Sequence, residues 1–314
     1  MHSIHRSVLL AAALSAAIAA PLHAQTAAPA KGRTMQQILD ASQPADWRAL
    51  DPKNTLYLEL ARGRVVIELA PQFAPAHVAN IRALAHNGYW NGLSINRSQD
   101  NYVVQWGDAN SEDPAQRKPF GKGVKTKLPA EFSHKSAGLS MTVLPDPDGW
   151  AAQAGFVAGF PAARDSADSN SWLAHCYGTV GAGRDLAADS SNGTELYVVI
   201  GQSPRHLDLN ITTVGRVIKG MELLSSLPRG TGNLGFYETA AERTPIRAIR
   251  LAADVPKAER ANLEVLKTDT PLFADLVESR RNRQDDFYKR PAGHINLCNV
   301  PLPVREQAVA KPKG

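Results

Sequence analysis

The sequence predicts a mainly β fold, either an antiparallel barrel or a sandwich. Short strand-like runs recur along the chain, each bounded by Gly, Pro, Asn or Asp. Few helical patterns fall between them. Hydrophobic residues make up 43% of the 314 residues, enough for one large core or two small ones. Periodicity leaves barrel and sandwich both open.

In chain order, residues 25–33 are rich in Ala and Pro and read as a flexible leader, the first part of a segment that runs to residue 53. Thr34 is placed to cap a short helix reaching Ala41, with Met35, Ile38 and Leu39 on one side. Trp47 and Leu50 are expected to dock the leader. Residues 55–60 and 64–69 form a β-hairpin through the tight turn Ala61-Arg62-Gly63. Pro71 ends it. Pro75 opens a helix to Asn87, with Val78, Ile81, Leu84 and Ala85 inward and Gly88 as the stop. Residues 93–97 and 101–106 are two more strands. Residues 109–127 are polar loop. A short strand is expected within 138–143, and 144–173 reads as a long surface insertion. Strands are expected at 177–180, 195–200 and 212–218, then a short helix at 220–227 and a closing strand at 246–252. Beyond 252 the pattern predicts a helical tail to 314, with helices over 254–266 and 271–283. Thr270 caps the second, and Pro271 takes its first position.

The first 24 residues have the layout of an export signal. A basic start at Arg6 leads into an apolar run from Val8 to Ala20, and Leu22-His23-Ala24 fits a cleavage site. That run is shorter than the roughly 20 residues of a membrane span. The expected location is the periplasm, with no membrane association after cleavage. The formal charge of +5 falls to +4 without residues 1–24, which carry one arginine and no acid. Basic residues are scattered, apart from Lys122, Lys125 and Lys127, so no nucleic-acid stripe is expected. The two cysteines, Cys176 and Cys298, are expected to pair in an oxidising compartment. His175 beside Cys176 does not make a nucleophile pair, because sequence neighbours rarely reach each other productively. The nine histidines show no metal-ligand spacing. The glycines of 178–183 are no dinucleotide fingerprint, because no crossover helix comes after them.

The most informative stretch is Arg97 to Asp108: an arginine, an apolar run, Gln105, then Gly107-Asp108. That order can set a cation and an amide beside a small apolar pocket. With the hairpin segment Gly63-Arg64-Val65, the helix segment from Ala74 to Leu84, Gly193-Thr194-Glu195-Leu196-Tyr197, His206-Leu207-Asp208, Val214-Gly215-Arg216-Val217 and Lys219-Gly220-Met221-Glu222, it makes an ordered set. Over residues 54–252 the chain resembles the cyclophilins, the barrel-type peptidyl-prolyl cis-trans isomerases. The resemblance implies a closed antiparallel eight-stranded barrel with two flanking helices. It implies no cofactor and no metal, and proline-containing polypeptides as substrates.

Position by position, Arg97 falls on the family's catalytic arginine and Gln105 on its glutamine. Tyr102 falls on the phenylalanine of the proline pocket, Val103 on the neighbouring methionine, Tyr197 on a second pocket phenylalanine, and Leu207 on the pocket leucine. His206 stands where many members have tryptophan or phenylalanine. Gly183 and Arg184, after Ala182, fall near the stretch that binds substrate backbone. The family's pocket histidine falls on or near Ile211, and Trp106 replaces a usual glycine. The reading is an exported prolyl isomerase that assists folding. Its rival is a non-catalytic peptide-binding or chaperone module on the same barrel.

Overall fold

The computed structural model describes residues 32–307 apart from 168 and 286. The expected export signal, 1–24, and the start of the leader lie outside the described residues.

Eight antiparallel strands close into a barrel. Around it run Thr179–Ala182, Leu196–Val199, Val103–Gly107, Ser94–Ser98, Thr244–Leu251, Thr55–Leu60, Gly63–Leu69 and Thr213–Lys219, which pairs back to the first. The expected hairpin is present, with Leu60 opposite Gly63. Alternate side chains fill the interior: Leu56, Leu58, Val65, Ile67, Ile95, Val104, Trp106, Val180, Leu196 and Val198 are buried in one cluster. Period-two alternation over a closed sheet makes such a core unavoidable.

Two helices pack on this cluster. Pro75–His86 contributes Val78, Ile81 and Leu84, and Met221–Ser225 contributes Leu224. The first lacks a local side-chain cap. Instead the Glu131 carboxylate accepts from the Ala76 and His77 backbone N–H groups, both at 2.9 Å. A carboxylate there satisfies orphan donors and suits the positive end of the helix dipole.

The segment 144–173, read from its composition as a long surface insertion, carries three strands. It supplies Gln153–Val157, Phe160–Arg164 and Asn170–Leu173 to a five-stranded sheet flanked by His134–Lys135 and Thr142–Val143. Ala158 and Gly159 both take positive φ between paired Val157 and Phe160, the geometry of a tight hairpin turn. Val157, Phe160 and Leu173 pack on Ala70 and Phe73 beside the barrel. Buried Glu68 of the barrel accepts from Arg48 of the leader, and Arg48 also donates to the Ala158 carbonyl (2.9 Å).

The expected helix at 254–266 is also corrected. Leu263–Leu266 is the central strand of a three-stranded sheet, between Trp47–Ala49 and Val304–Glu306. Pro256 interrupts any helix, and both partner strands lie far away in sequence. The other two terminal helices form as expected. Thr34 builds a capping box on Met35–Asp40, and Thr270 caps Pro271–Arg281. Ile38, Phe156, Phe273 and Leu276 share a core, with Phe156 edge-on to Phe273 at 5.2 Å.

Cys176 and Cys298 form a disulfide across 122 residues. Closing a loop of that length removes chain entropy worth about 5 kcal/mol from the unfolded state. A reductant should therefore lower the urea midpoint of the wild type. It should leave the Cys176→Ala/Cys298→Ala double variant unchanged, at the lower value.

Candidate active site

Alternation alone would turn Arg97 into the barrel, because Ile95 already points inward. The register shifts between Ile95 and Arg97: Ile95 pairs with Trp106, and Arg97 pairs with Gln105. One extra residue, Asn96, makes a bulge, and a bulge re-aims the next side chain along the strand. Arg97 thus emerges on the outer face beside Gln105.

There the guanidinium is held by uncharged groups. Its Nε donates to the Leu234 carbonyl (2.8 Å), one Nη donates to Gln105 Oε1 (3.1 Å), and the other donates to the Gln99 side chain. The rings of Phe236 and Tyr102 lie 5.2 and 5.6 Å from its central carbon. Among the described residues no carboxylate pairs with it. Burial lowers its pKa from the ordinary value, but a guanidinium remains charged. Three of its five N–H bonds are engaged, which leaves two for a ligand.

Arg97 lines a groove of about 590 Å³. Tyr102, Val103, Tyr197 and Leu207 line it, with Ile211 alongside. Buried Val103, Tyr197 and Val199 cluster with Tyr102 and Ile211, which gives the groove an apolar patch. Gly183 and Arg184 line it too. Arg184 is partly spent on the carbonyls of Asp185, Leu186 and Asn210. His206 is not brought in. It is exposed and absent from the lining, on the short turn Arg205–Leu207 that presents Leu207 instead.

Several groove residues escaped the sequence reading. Phe236 and the Leu234 carbonyl arrive from a remote loop. Glu195 projects beside Gln105, whose Nε2 donates to Glu195 Oε2 (3.3 Å). Burial raises the Glu195 carboxyl to about 7, and nearby Asp108 pushes the same way. Gly107 makes room for it, because a Cβ at 107 would overlap the Glu195 carboxylate. The available signal was an acid opposite a glycine on neighbouring strands. No group of three metal-ligating side chains gathers among the described residues.

Tyr197 owes its hydroxyl's position to a buried network. Its Oη meets His175 Nε2 at 2.9 Å, and His175 Nδ1 meets Asp208 at 2.8 Å. An ionised carboxylate only accepts, so Nδ1 carries the proton. Arg205 bridges Asp208 to Asp148 of the inserted segment. Gly181 lets the Tyr197 ring lie flat, because a Cβ there would collide with it.

Burial alone would raise Asp208, but the His175 hydrogen bond and the Arg205 charge outweigh it and hold the carboxyl below its ordinary range. A depressed folded-state pKa gives stability that is present above the unfolded value, about 3.9, and is lost as pH falls through the folded value. Asp208→Asn should cost about 3–5 kcal/mol at pH 6. Urea midpoints taken down to pH 2.5 should show the gap to wild type narrowing.

The chain is similar to known proteins. The family model "Cyclophilin type peptidyl-prolyl cis-trans isomerase/CLD" matches residues 55–251. Human "Peptidyl-prolyl cis-trans isomerase-like 1" is 30% identical over 69% of this chain and 98% of its own. A "Probable peptidyl-prolyl cis-trans isomerase" of Brucella suis is 28% identical over 64% of this chain and 83% of its own. The crystal structure of cyclophilin AquaCyp293 from Hirschia baltica superposes with a TM-score of 0.67 at 25% identity, covering 87% of this chain and 97% of that one. That coverage exceeds what residues 55–251 make up, so the likeness extends past the barrel. On the family match and the closed barrel together, the chain belongs to the cyclophilin-type peptidyl-prolyl cis-trans isomerases.

Proposed function

We propose that this protein isomerises X–Pro bonds in exported polypeptides while they fold in the periplasm. One observation carries the catalytic part: Arg97, with two N–H bonds to spare and no counter-ion among the described residues, sits against an apolar patch of Tyr102, Val103 and Tyr197.

An amide resists rotation by about 18–20 kcal/mol because twisting removes its resonance. The twist returns a lone pair to the prolyl nitrogen. A guanidinium aimed at that nitrogen stabilises the twisted amide more than either planar form, which is the condition for acceleration. Tyr102, Val103, Tyr197 and Leu207 would hold the pyrrolidine ring, and Gln105 keeps Arg97 in place. A ~10⁵-fold acceleration needs about 7 kcal/mol. One preorganised donor supplies about 3–4 kcal/mol, and gripping the ring while fixing the flanking backbone must supply the rest. No bond is broken, so neither a nucleophile nor a cofactor is needed.

Export is supported by the basic and apolar start of the sequence and by the Cys176–Cys298 disulfide, a feature of oxidising compartments. Proline isomerisation is slow enough to limit folding there.

In a proline-peptide isomerisation assay, Arg97→Ala should lose about 10²–10³-fold in kcat/KM while still binding the peptide. Equal rates for wild type and variant, with binding retained, would make the barrel a binding module. Protein recovered from a periplasmic extract should begin at Gln25. An N-terminus at Met1 would defeat the export reading.

A further inference from the structure

Arg97 only donates hydrogen bonds, so any side-chain amide that meets it must present its oxygen. The Gln105 amide has two ends, and either can face the arginine. Its Oε1 meets Arg97 at 3.1 Å, while its Nε2 meets Glu195 Oε2 at 3.3 Å. An ionised carboxylate accepts only, so it selects the amide orientation that turns oxygen toward Arg97. We infer that Glu195 is a positioning residue: its carboxylate fixes the Gln105 amide, and that amide aims Arg97. The inference rests on the isomerase reading of the same groove.

Protonation of Glu195 would weaken this selection. The neutral acid can donate to Gln105 Oε1, which frees the amide to turn its NH₂ toward the guanidinium. Two donors then face each other, and Arg97 loses one of its three anchors. Glu195 is suited to such a change near neutrality, because burial lifts its carboxyl to about 7.

The charged and titratable surroundings support this. Asp108, just past the strand Val103–Gly107, adds negative charge and discourages ionisation of Glu195. Asn96, on the bulge, hydrogen-bonds to Glu195 and favours ionisation. Behind them stand Tyr89, raised by burial and by both acids, and Lys118, lowered by burial but supported by Asp108. Glu112, Arg184, Asp185, Tyr237 and Arg243 line the same groove.

The test has two readouts on the full mature chain. The first tracks the Arg97 Nε–H and Gln105 side-chain amide signals by NMR between pH 5 and 9. Wild type should show one shared transition near neutrality, and Glu195→Gln should show none. The second is the pH profile of kcat/KM. Wild type should fall roughly tenfold from pH 8 to pH 6 if only the ionised form aims Arg97. Glu195→Gln, whose amide can donate to Gln105 Oε1 as the neutral acid does, should be flat and close to the wild-type rate at pH 6. Arg97 and Gln105 signals that do not move, or that move alike in the variant, overturn the inference. If wild type isomerises nothing at any pH, the isomerase reading fails, and the NMR transition alone still decides whether Glu195 aims Arg97.

Discussion

One surplus residue in the strand Ser94–Ser98 decides which way Arg97 points. Without the bulge at Asn96, strict alternation would carry the guanidinium into a core of Trp106, Val104 and Leu196. A lone charge there would cost far more than the fold could supply. With the bulge, the same side chain reaches the outer face, where carbonyls and amides from three places meet it. None of them neutralises it. The site is therefore a preorganised, half-desolvated cation, the form in which a charge can most affect a neighbouring amide.

The parts of the fold that were legible from sequence are those with local causes. The hairpin over 55–69 arises from alternation and a turn glycine. The helix Pro75–His86 arises from its proline start and an apolar stripe, and Pro271–Arg281 from Thr270 and Pro271. Arg97, Gln105, Tyr102, Val103 and Leu207 were legible because ordered motifs carried them together. The hidden elements depend on distant partners. Leu263–Leu266 becomes a strand only because Trp47–Ala49 and Val304–Glu306 flank it. The sheet of the inserted segment is built from Ala, Gly and Pro runs with weak strand preference. Phe236 and Glu195 reach the groove by topology, and His206 misses it because Arg205–Leu207 turns Leu207 inward instead.

The added segments are not ornaments on a barrel. A chain of buried polar contacts runs from Asp148 through Arg205, Asp208 and His175 to the hydroxyl of Tyr197. The inserted sheet thereby reaches the groove wall. The disulfide lands at Cys176, next to His175, so the terminal segment is tied down one residue from the same network. Tyr197 shows how this alters a pocket wall: its ring faces the groove over Gly181 while its hydroxyl is claimed from behind. The wall stays apolar although the residue is polar.

The small sheet that holds Leu263–Leu266 has an unusual dependence. Its two flanking strands come from opposite extremes of the described chain, Trp47–Ala49 and Val304–Glu306. Val265 between them is fully buried. Trimming by a protease from either direction would strip one side of that strand and bare its backbone N–H and C=O groups to foreign chains. The integrity of that sheet thus rests on both flanking strands staying zipped to one four-residue segment.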